Sequence, residues 1–350
     1  MVHQYLGTAT WRRTALVLFL ALSPSLDTVA ENAQSRTLTD SAGRHVTIPS
    51  KIDRVFVAGP PSAVVLYTLA PEKLLGWTRA LSDEEKAFMP ERYASLPVLG
   101  RLTGRNIEAV VREVAALHPD LILDVGDVDG RYATLADRVQ QQTGVPYVLL
   151  DGRLPNTAEL YHRLGDVLGV SAKAAGLAAY AERTMADLKT RTAAVAAERR
   201  PRIFYTRDPD GTQTSPVGSI TGEIFDLAGG INVAGGTTGA VTFDQIRRWD
   251  PDAILTSNPD FSRRALTDPQ WQGLRAVREG RVYLAPAEPF GWIDEPPGVN
   301  RLIGLRWLST VLYQVPGHNE LRDIVLDFYA RFYHVRPTEQ QVSHILKSVP

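Results

Sequence analysis

The sequence predicts an α/β protein with two Rossmann-like lobes, each built on a parallel sheet, joined by a single long helix. Three observations support this fold class. Short apolar runs alternate with segments of helical periodicity in both halves of the chain, and an Ala-rich helical region separates the two halves. One short motif, a helix ended by Pro and followed by Asp and a strand, occurs in each half. At 350 residues the chain also exceeds the usual size of one hydrophobic core.

Residues 1–30 have the pattern of a secretory signal peptide. Arg12 and Arg13 precede an apolar run at 15–22, and small residues follow up to Ala30. The apolar run is shorter than the roughly 20 residues that cross a bilayer. We therefore expect cleavage near Ala30 and export to a periplasm, without a lipid anchor because the chain has no cysteine. A secreted protein would have the same sequence pattern.

Residues 36–154 predict the first α/β lobe. Alternation around Gly43 indicates a hairpin, and Gly59 and Pro60 end the next apolar run, so a helix should start there with Ser62 as its N-cap. The runs that predict strands are 54–58, 74–77, 121–123 and 147–150, and the helical segments are 107–117 and 132–143.

Residues 155–200 predict the connecting helical region, because 157–199 is Ala-rich and contains no strand-like run. Residues 201–350 predict the second α/β lobe with a C-terminal helix. Its predicted strands are 202–206, 253–256 and 282–285, and a Pro-rich loop from Pro289 leads into a mostly buried helix.

The two halves share one device, in which a helix ends at a proline and an aspartate precedes a buried strand. It occurs at Pro119 and Asp120, and again at Pro251 and Asp252. Two copies favour a weak internal duplication, although this order is common in α/β proteins.

Composition and motifs argue against nucleic-acid binding and catalysis. The 38 Lys and Arg residues balance 39 Asp and Glu residues, for a net charge of -1. The chain has no phosphate-binding loop, paired-His zinc motif or nucleophile elbow, so we expect neither an enzyme nor a cofactor. Its 7 histidines have no compact ligand spacing, so any metal should arrive inside a chelate or as an oxyanion.

Candidate ligand-binding residues follow strand ends, where open α/β sheets bind their ligands. Guanidinium groups bind anionic oxygens and aromatic rings cover apolar surface, although each such residue could equally be structural. For Trp292, a hydrophobic plug and a cleft wall are equal alternatives. The candidates are Pro60, Ser62, Arg101, Asp127 and Tyr132 in the first lobe, and Tyr205, Arg207, Ser257, Asn258, Glu288 and Trp292 in the second.

An ordered set of motifs covers nearly the whole chain after residue 30. The set is DSAGRHV at 40–46, RVFV at 54–57, NIE at 106–108, PDLI at 119–122, GEIFDLAGGIN at 222–232, Trp292 with Pro296, Pro297, Asn300 and Arg301, and FYARFY at 328–333. With these motifs the chain resembles the periplasmic binding proteins for iron-siderophore, haem and cobalamin, whose two lobes a rigid helix joins.

This resemblance implies a soluble, monomeric substrate-binding protein that delivers its cargo to an ABC permease and its ATPase. The expected cargo is a chelated metal, above all a ferric siderophore; haem held by Tyr132 or Tyr205, cobalamin, and oxyanions such as molybdate or tungstate are the alternatives. The resemblance also implies small lobe motion, and permease docking through Glu108 and Asp226, with Glu223 as the alternative to Asp226. A chelatase-like or nitrogenase-like enzyme and a signalling or adhesion module are competing hypotheses; the signal pattern and the lack of cysteine oppose the enzyme.

Overall fold

The computed structural model describes residues 35–103, 107–237, 239–313 and 318–347. The predicted signal peptide, its cleavage point and Asn106 lie outside these residues. Among the described helices, none is long and apolar enough to cross a membrane.

The described chain begins with the predicted hairpin, formed by strands β1 (Ser35–Thr39) and β2 (His45–Pro49). Gly43 has a φ of 78°, the left-handed conformation that a tight turn needs and that glycine adopts without strain. The buried Asp40 carboxylate accepts the N–H of Arg44 at 3.0 Å and its guanidinium at 2.8 Å. This bonding fixes the turn.

The first lobe contains a parallel sheet in the order β3-β4-β5. Its strands are β3 (Val55–Val57), β4 (Leu121–Gly126) and β5 (Tyr147–Asp151), and its helices are α1 (Pro60–Leu69), α2 (Asp83–Lys86), α3 (Glu91–Ala94), α4 (Ile107–Leu117) and α5 (Gly130–Thr143). The predicted strand at 74–77 is reduced to single bridges at Leu74 and Trp77.

Helix α1 starts earlier than predicted, and Ser62 is not its N-cap. Gly59 is the capping residue, because Pro60 and Pro61 preset the backbone angle of the first turn and need no N–H partner. The fully buried Ser62 hydroxyl instead accepts the N–H of Val125 at 2.8 Å. Ser62 therefore fastens α1 to β4.

Two helices occupy the connecting region that the sequence presents as one. Helix α6 (Thr157–Leu168) ends at Gly169, whose φ of 70° stops the helix, and α7 (Ser171–Ala193) follows. The 23 residues of α7 extend about 35 Å. Because α7 packs against α1 and also against helices of the second lobe, it is the helix that joins the lobes.

The second lobe contains a parallel sheet in the order β7-β6-β8-β9. Its strands are β6 (Arg202–Thr206), β7 (Ile231–Asn232), β8 (Ala253–Thr256) and β9 (Val282–Leu284). Its helices are α8 (Glu223–Leu227), α9 (Phe243–Trp249), α10 (Pro259–Thr267), α11 (Pro269–Gln272), α12 (Arg275–Arg278) and α13 (Arg301–Tyr313). Strand β7 is too short to give a sequence signal.

The C-terminal segment packs back onto the first lobe. It comprises α14 (His318–Phe328), a π-helical turn (Tyr329–Tyr333) and α15 (Glu339–Ile345). The Tyr67 hydroxyl of α1 donates to the carbonyl of Tyr333 at 2.6 Å. One large apolar cluster consequently contains residues of both lobes. The boundaries 36–154, 155–200 and 201–350 separate the two sheets, and as domain boundaries they stay a prediction.

Candidate ligand-binding cleft

A cleft of about 500 Å³ opens between the two lobes. The first lobe contributes the start of α1, the segment 77–81 and Arg101, and the second contributes the loop 290–297. Trp77 and Phe290 are the large aromatic side chains of its walls, which are otherwise mostly proline and aliphatic residues. The apolar walls therefore surround a small number of charged groups.

The parallel sheets explain this position. Strand β3 ends at Val57, and α1 begins three residues later with its N-terminus at the cleft. Strand β9 ends at Leu284, shortly before the loop 290–297. Both walls thus follow the carboxyl ends of strands, the place where open α/β sheets bind ligands.

Two guanidinium groups line the first-lobe side of the cleft. Arg79 is paired, because its guanidinium donates twice to the Glu85 carboxylate, once at 2.8 Å, and this pair raises the pKa of Arg79. Exposed Arg101 has no hydrogen-bond or ion-pair partner among the residues that the structure describes. Arg101 is therefore the cation that a ligand can engage directly.

Two adjacent carboxylates line the opposite side. Asp294 is buried, and its Oδ2 lies 3.3 Å from the Arg207 guanidinium. Glu295 is exposed to the cleft and accepts only a long hydrogen bond, 3.5 Å, from the Ser257 hydroxyl. Partial desolvation and the neighbouring Asp294 charge raise the pKa of Glu295.

Backbone contacts fix the loop that carries these carboxylates. The buried Asn300 amide donates to the carbonyls of Gly291 and, at 3.0 Å, Pro296. A side chain on Gly291 would overlap the Asp294 carbonyl, at 1.9 Å from an ideal Cβ. Only glycine therefore permits this close turn.

A buried arginine ties the loop region to both lobes. Arg301, fully buried at the start of α13, donates to the carbonyls of Gly152 at 3.2 Å and Gly298 at 3.1 Å, and to that of Ile220. It also pairs with the Glu223 carboxylate at 3.1 Å. Because Gly152 follows β5 and Ile220 precedes α8, these bonds cross between the lobes. Sequence reasoning singled out Arg301 within a motif but assigned it no role.

Two of the predicted ligand residues, Pro60 and Arg101, line the cleft. Three others lie one layer behind the carboxylates. Arg207 pairs with Asp294, Ser257 bonds to Glu295, and the buried Tyr205 hydroxyl donates to Ser257 at 3.1 Å. These three position the acidic wall.

The remaining candidates do not line the cleft. Trp292 is fully buried, with its carbonyl against Gly304, which agrees with the plug alternative. Asn258 accepts the Phe261 N–H and caps α10, and Asp127 lies 3.5 Å from Arg153. Tyr132, Ser62 and Glu288 lie elsewhere: Tyr132 is on α5, Ser62 faces β4, and the Glu288 carbonyl accepts the Tyr329 hydroxyl.

Sequence reasoning did not select Trp77, Arg79, Phe290, Asp294 or Glu295. The three from the second lobe do lie in the Pro-rich segment that the sequence marks as distinctive. Trp77 ends an apolar run that resembles a strand, and Arg79 follows it, which obscures the place of both residues on an irregular loop.

The predicted docking carboxylates separate into two kinds. Glu108 in the first turn of α4 and Asp226 on α8 are exposed. Glu223 is not a free surface group, because it pairs with Arg301 and accepts the Leu154 N–H at 2.7 Å. Glu223 is thus already engaged inside the protein whereas Asp226 is exposed, and the docking role of either residue stays a prediction.

Comparison with known proteins gives one family and several relatives. A family model described as periplasmic binding protein matches residues 62–289. The molybdate-binding protein MolA of Haemophilus influenzae is 26% identical, over 92% of this chain and 96% of that protein.

Solved structures are similar in fold over most of the chain. An ABC transporter solute binding protein from Sulfurospirillum deleyianum has a TM-score of 0.81 at 27% identity, covering 89% of this chain and 99% of that one. The periplasmic vitamin B12 binding protein BtuF of Vibrio cholerae has a TM-score of 0.58 at 21% identity, covering 76% and 98%.

Proposed function

We propose that this chain, which belongs to the periplasmic binding protein family and is the substrate-binding protein of an ABC importer and not an enzyme, carries a chelated metal as its cargo. A ferric siderophore or a related iron complex is the simplest such cargo. The protein captures it in the cleft between the lobes and delivers it to the membrane permease.

The observation that supports an organic chelate is the cleft itself. Its volume of about 500 Å³ and its walls of Trp77, Phe290, prolines and aliphatic residues suit an organic ligand with a few polar anchors. Among the described residues, no group of three or more His, Cys, Asp or Glu could hold a bare metal ion. The Arg101 guanidinium can donate to the anionic oxygens that a chelator carries.

Molybdate is the second candidate. It is supported by the similarity to the molybdate-binding protein MolA of Haemophilus influenzae and by the two arginines of the first-lobe wall. A compact oxyanion would occupy the space beside Arg101 and leave the aromatic walls largely without contact. The geometry therefore favours the chelate.

Haem with a tyrosine ligand fits the site less well. The Tyr205 hydroxyl is buried and donates to Ser257, and neither Tyr205 nor Tyr132 lines the cleft. A cobalamin receptor is supported only by the likeness of fold to BtuF.

Native mass spectrometry against a panel of cargos tests the proposal. The panel contains a ferric trihydroxamate, a ferric triscatecholate, haem, cobalamin and molybdate. We expect one-to-one adducts with a ferric chelate at micromolar concentration. Adducts with molybdate alone would overturn the chelate assignment in favour of the second candidate.

Delivery requires docking, for which we propose exposed Glu108 and Asp226, one on each lobe. Surface carboxylates that face basic sockets on a permease contribute orientation and association rate. The charge reversals Glu108→Lys and Asp226→Lys should each lower receptor-stimulated ATP hydrolysis by the reconstituted transporter several-fold, while cargo affinity stays within about twofold.

The matched control for docking is Glu113→Lys, since Glu113 is an exposed carboxylate of α4 outside the proposed pair. Equal stimulation by all three variants and by the unmodified protein would contradict the docking role. We propose that docking takes place in the periplasm, with the protein acting as a monomer.

A further inference from the structure

The charges in the cleft are arranged with opposite signs on its two sides. The first lobe presents the guanidinium groups of Arg79 and Arg101, and the second presents the carboxylates of Asp294 and Glu295. A cargo that fills the cleft removes water from both sides. Each side then needs a partner of complementary charge, because a desolvated charge without one is costly.

Neighbours satisfy the two carboxylates unequally. One Asp294 oxygen accepts the Glu295 N–H at 2.9 Å, and the other lies beside Arg207. The Glu295 carboxylate has no ion-pair partner within 4.0 Å in the described part of the chain, and its one hydroxyl contact is long. Arg79 attracts it from across the cleft, but both terminal nitrogens of Arg79 already donate to Glu85.

The backbone holds Glu295 in a conformation that such a residue rarely adopts. Its φ is 64°, in the left-handed region, and the Asn300 and Gly291 contacts fix the loop on either side. Backbone strain of this kind persists where the surrounding structure enforces it, and it is frequent at ligand sites. The Glu295 carboxylate, which has no ion-pair partner among the described residues, is consequently held at the cleft.

We propose that Glu295 is a specificity residue, an inference that rests on the proposed function. It requires the cargo to present a positive charge or a hydrogen-bond donor toward the second lobe, and it disfavours compact oxyanions that carry neither. Organic chelators commonly carry amine or amide N–H groups, whereas fully deprotonated molybdate and sulfate carry none.

This role makes oxyanion binding depend on pH in one direction. The titratable and charged groups that face Glu295 are Asp294, Arg207 and Arg79, and Arg79 is paired with Glu85. The pKa of Glu295 is raised, so as the pH falls this carboxylate is neutralised earlier than an ordinary glutamate and becomes a donor. Oxyanion binding should therefore strengthen as the pH falls toward that pKa.

A matched pair of cargos tests the proposal. One is a ferric trihydroxamate with a free primary ammonium group, and the other is the same chelate with that amine acetylated. Calorimetry should show the unmodified protein preferring the ammonium form by about tenfold, as one charge-assisted hydrogen bond implies. Glu295→Gln should reduce this preference to nearly one, and Glu279→Gln, at an exposed carboxylate of the same lobe outside the cleft, should not.

The outcomes separate this proposal from the chelate assignment. If both chelates bind and Glu295→Gln leaves the preference unchanged, the specificity role is wrong and the chelate cargo stands. If neither chelate binds, the affinity for molybdate is measured as a function of pH. Molybdate binding that tightens at lower pH in the unmodified protein but not in Glu295→Gln supports the role of Glu295 with a different cargo. Absence of any such tightening, or no binding of any of these ligands, overturns both proposals.

Discussion

Replacement of Arg301 by alanine should lower the free energy of unfolding by roughly 3–5 kcal/mol. Arg301 is fully buried, and its loss removes one partner of the Glu223 carboxylate and one donor to each of three backbone carbonyls on both lobes. Burial lowers the pKa of Arg301 while Glu223 opposes that effect, so the charged form depends on its partners. Urea denaturation followed by circular dichroism measures the loss.

Two further variants show whether the buried pair causes this loss. Arg248→Ala, at an exposed residue of α9, should change the free energy of unfolding by less than about 0.5 kcal/mol. The double variant Arg301→Met with Glu223→Gln should lose less than Arg301→Ala, because no uncompensated buried charge remains. A loss below about 1 kcal/mol for Arg301→Ala would contradict the bridging role of this residue.

Replacement of Arg101 by alanine should weaken cargo binding by about 10–100-fold, the contribution of a hydrogen-bonded charge. Arg101 lines the cleft and, within the described residues, its guanidinium has no protein partner to release or disturb. The affinity of Arg101→Lys should lie between those of Arg101→Ala and the unmodified protein, because an ammonium keeps the charge but loses the bidentate geometry of a guanidinium. Calorimetric titration with a ferric trihydroxamate measures the affinities.

The matched control for Arg101 is Arg112→Ala, at an exposed arginine of the same lobe on α4 that does not line the cleft. It should leave cargo affinity within about twofold. Equal affinity for Arg101→Ala and the unmodified protein would exclude Arg101 from the binding site.

The strands could be predicted because burial on both faces gives parallel strands continuous apolar sequences. Strand β4, with Leu121, Ile122 and Leu123 all buried, shows this directly. The hairpin likewise follows from the alternation around Gly43. The break between α6 and α7 at Gly169 was missed, because one glycine hardly changes the average composition of an Ala-rich region.

The site was harder to predict, because contacts between distant residues create it. Pairing of Glu223 with Arg301 spans 78 residues, and no local pattern distinguishes this inward carboxylate from exposed Asp226. Ser62 is similarly of a residue type that often caps helices, but its hydrogen bond with the Val125 N–H exists only in the folded chain and leaves no local sequence pattern. Arg101 could be selected because its guanidinium suits the anionic oxygens of a ligand.

A fluorescence titration in the presence of a ferric trihydroxamate tests most directly whether the cleft is the cargo site. Trp77 is the one described tryptophan that lines the cleft, and its indole N–H donates to the Tyr93 carbonyl at 2.8 Å. We predict saturable quenching that Trp77→Phe largely removes and Trp249→Phe, outside the cleft, preserves, with melting curves verifying that both variants fold. Undiminished quenching in Trp77→Phe, or no saturable signal in the unmodified protein, would contradict the account.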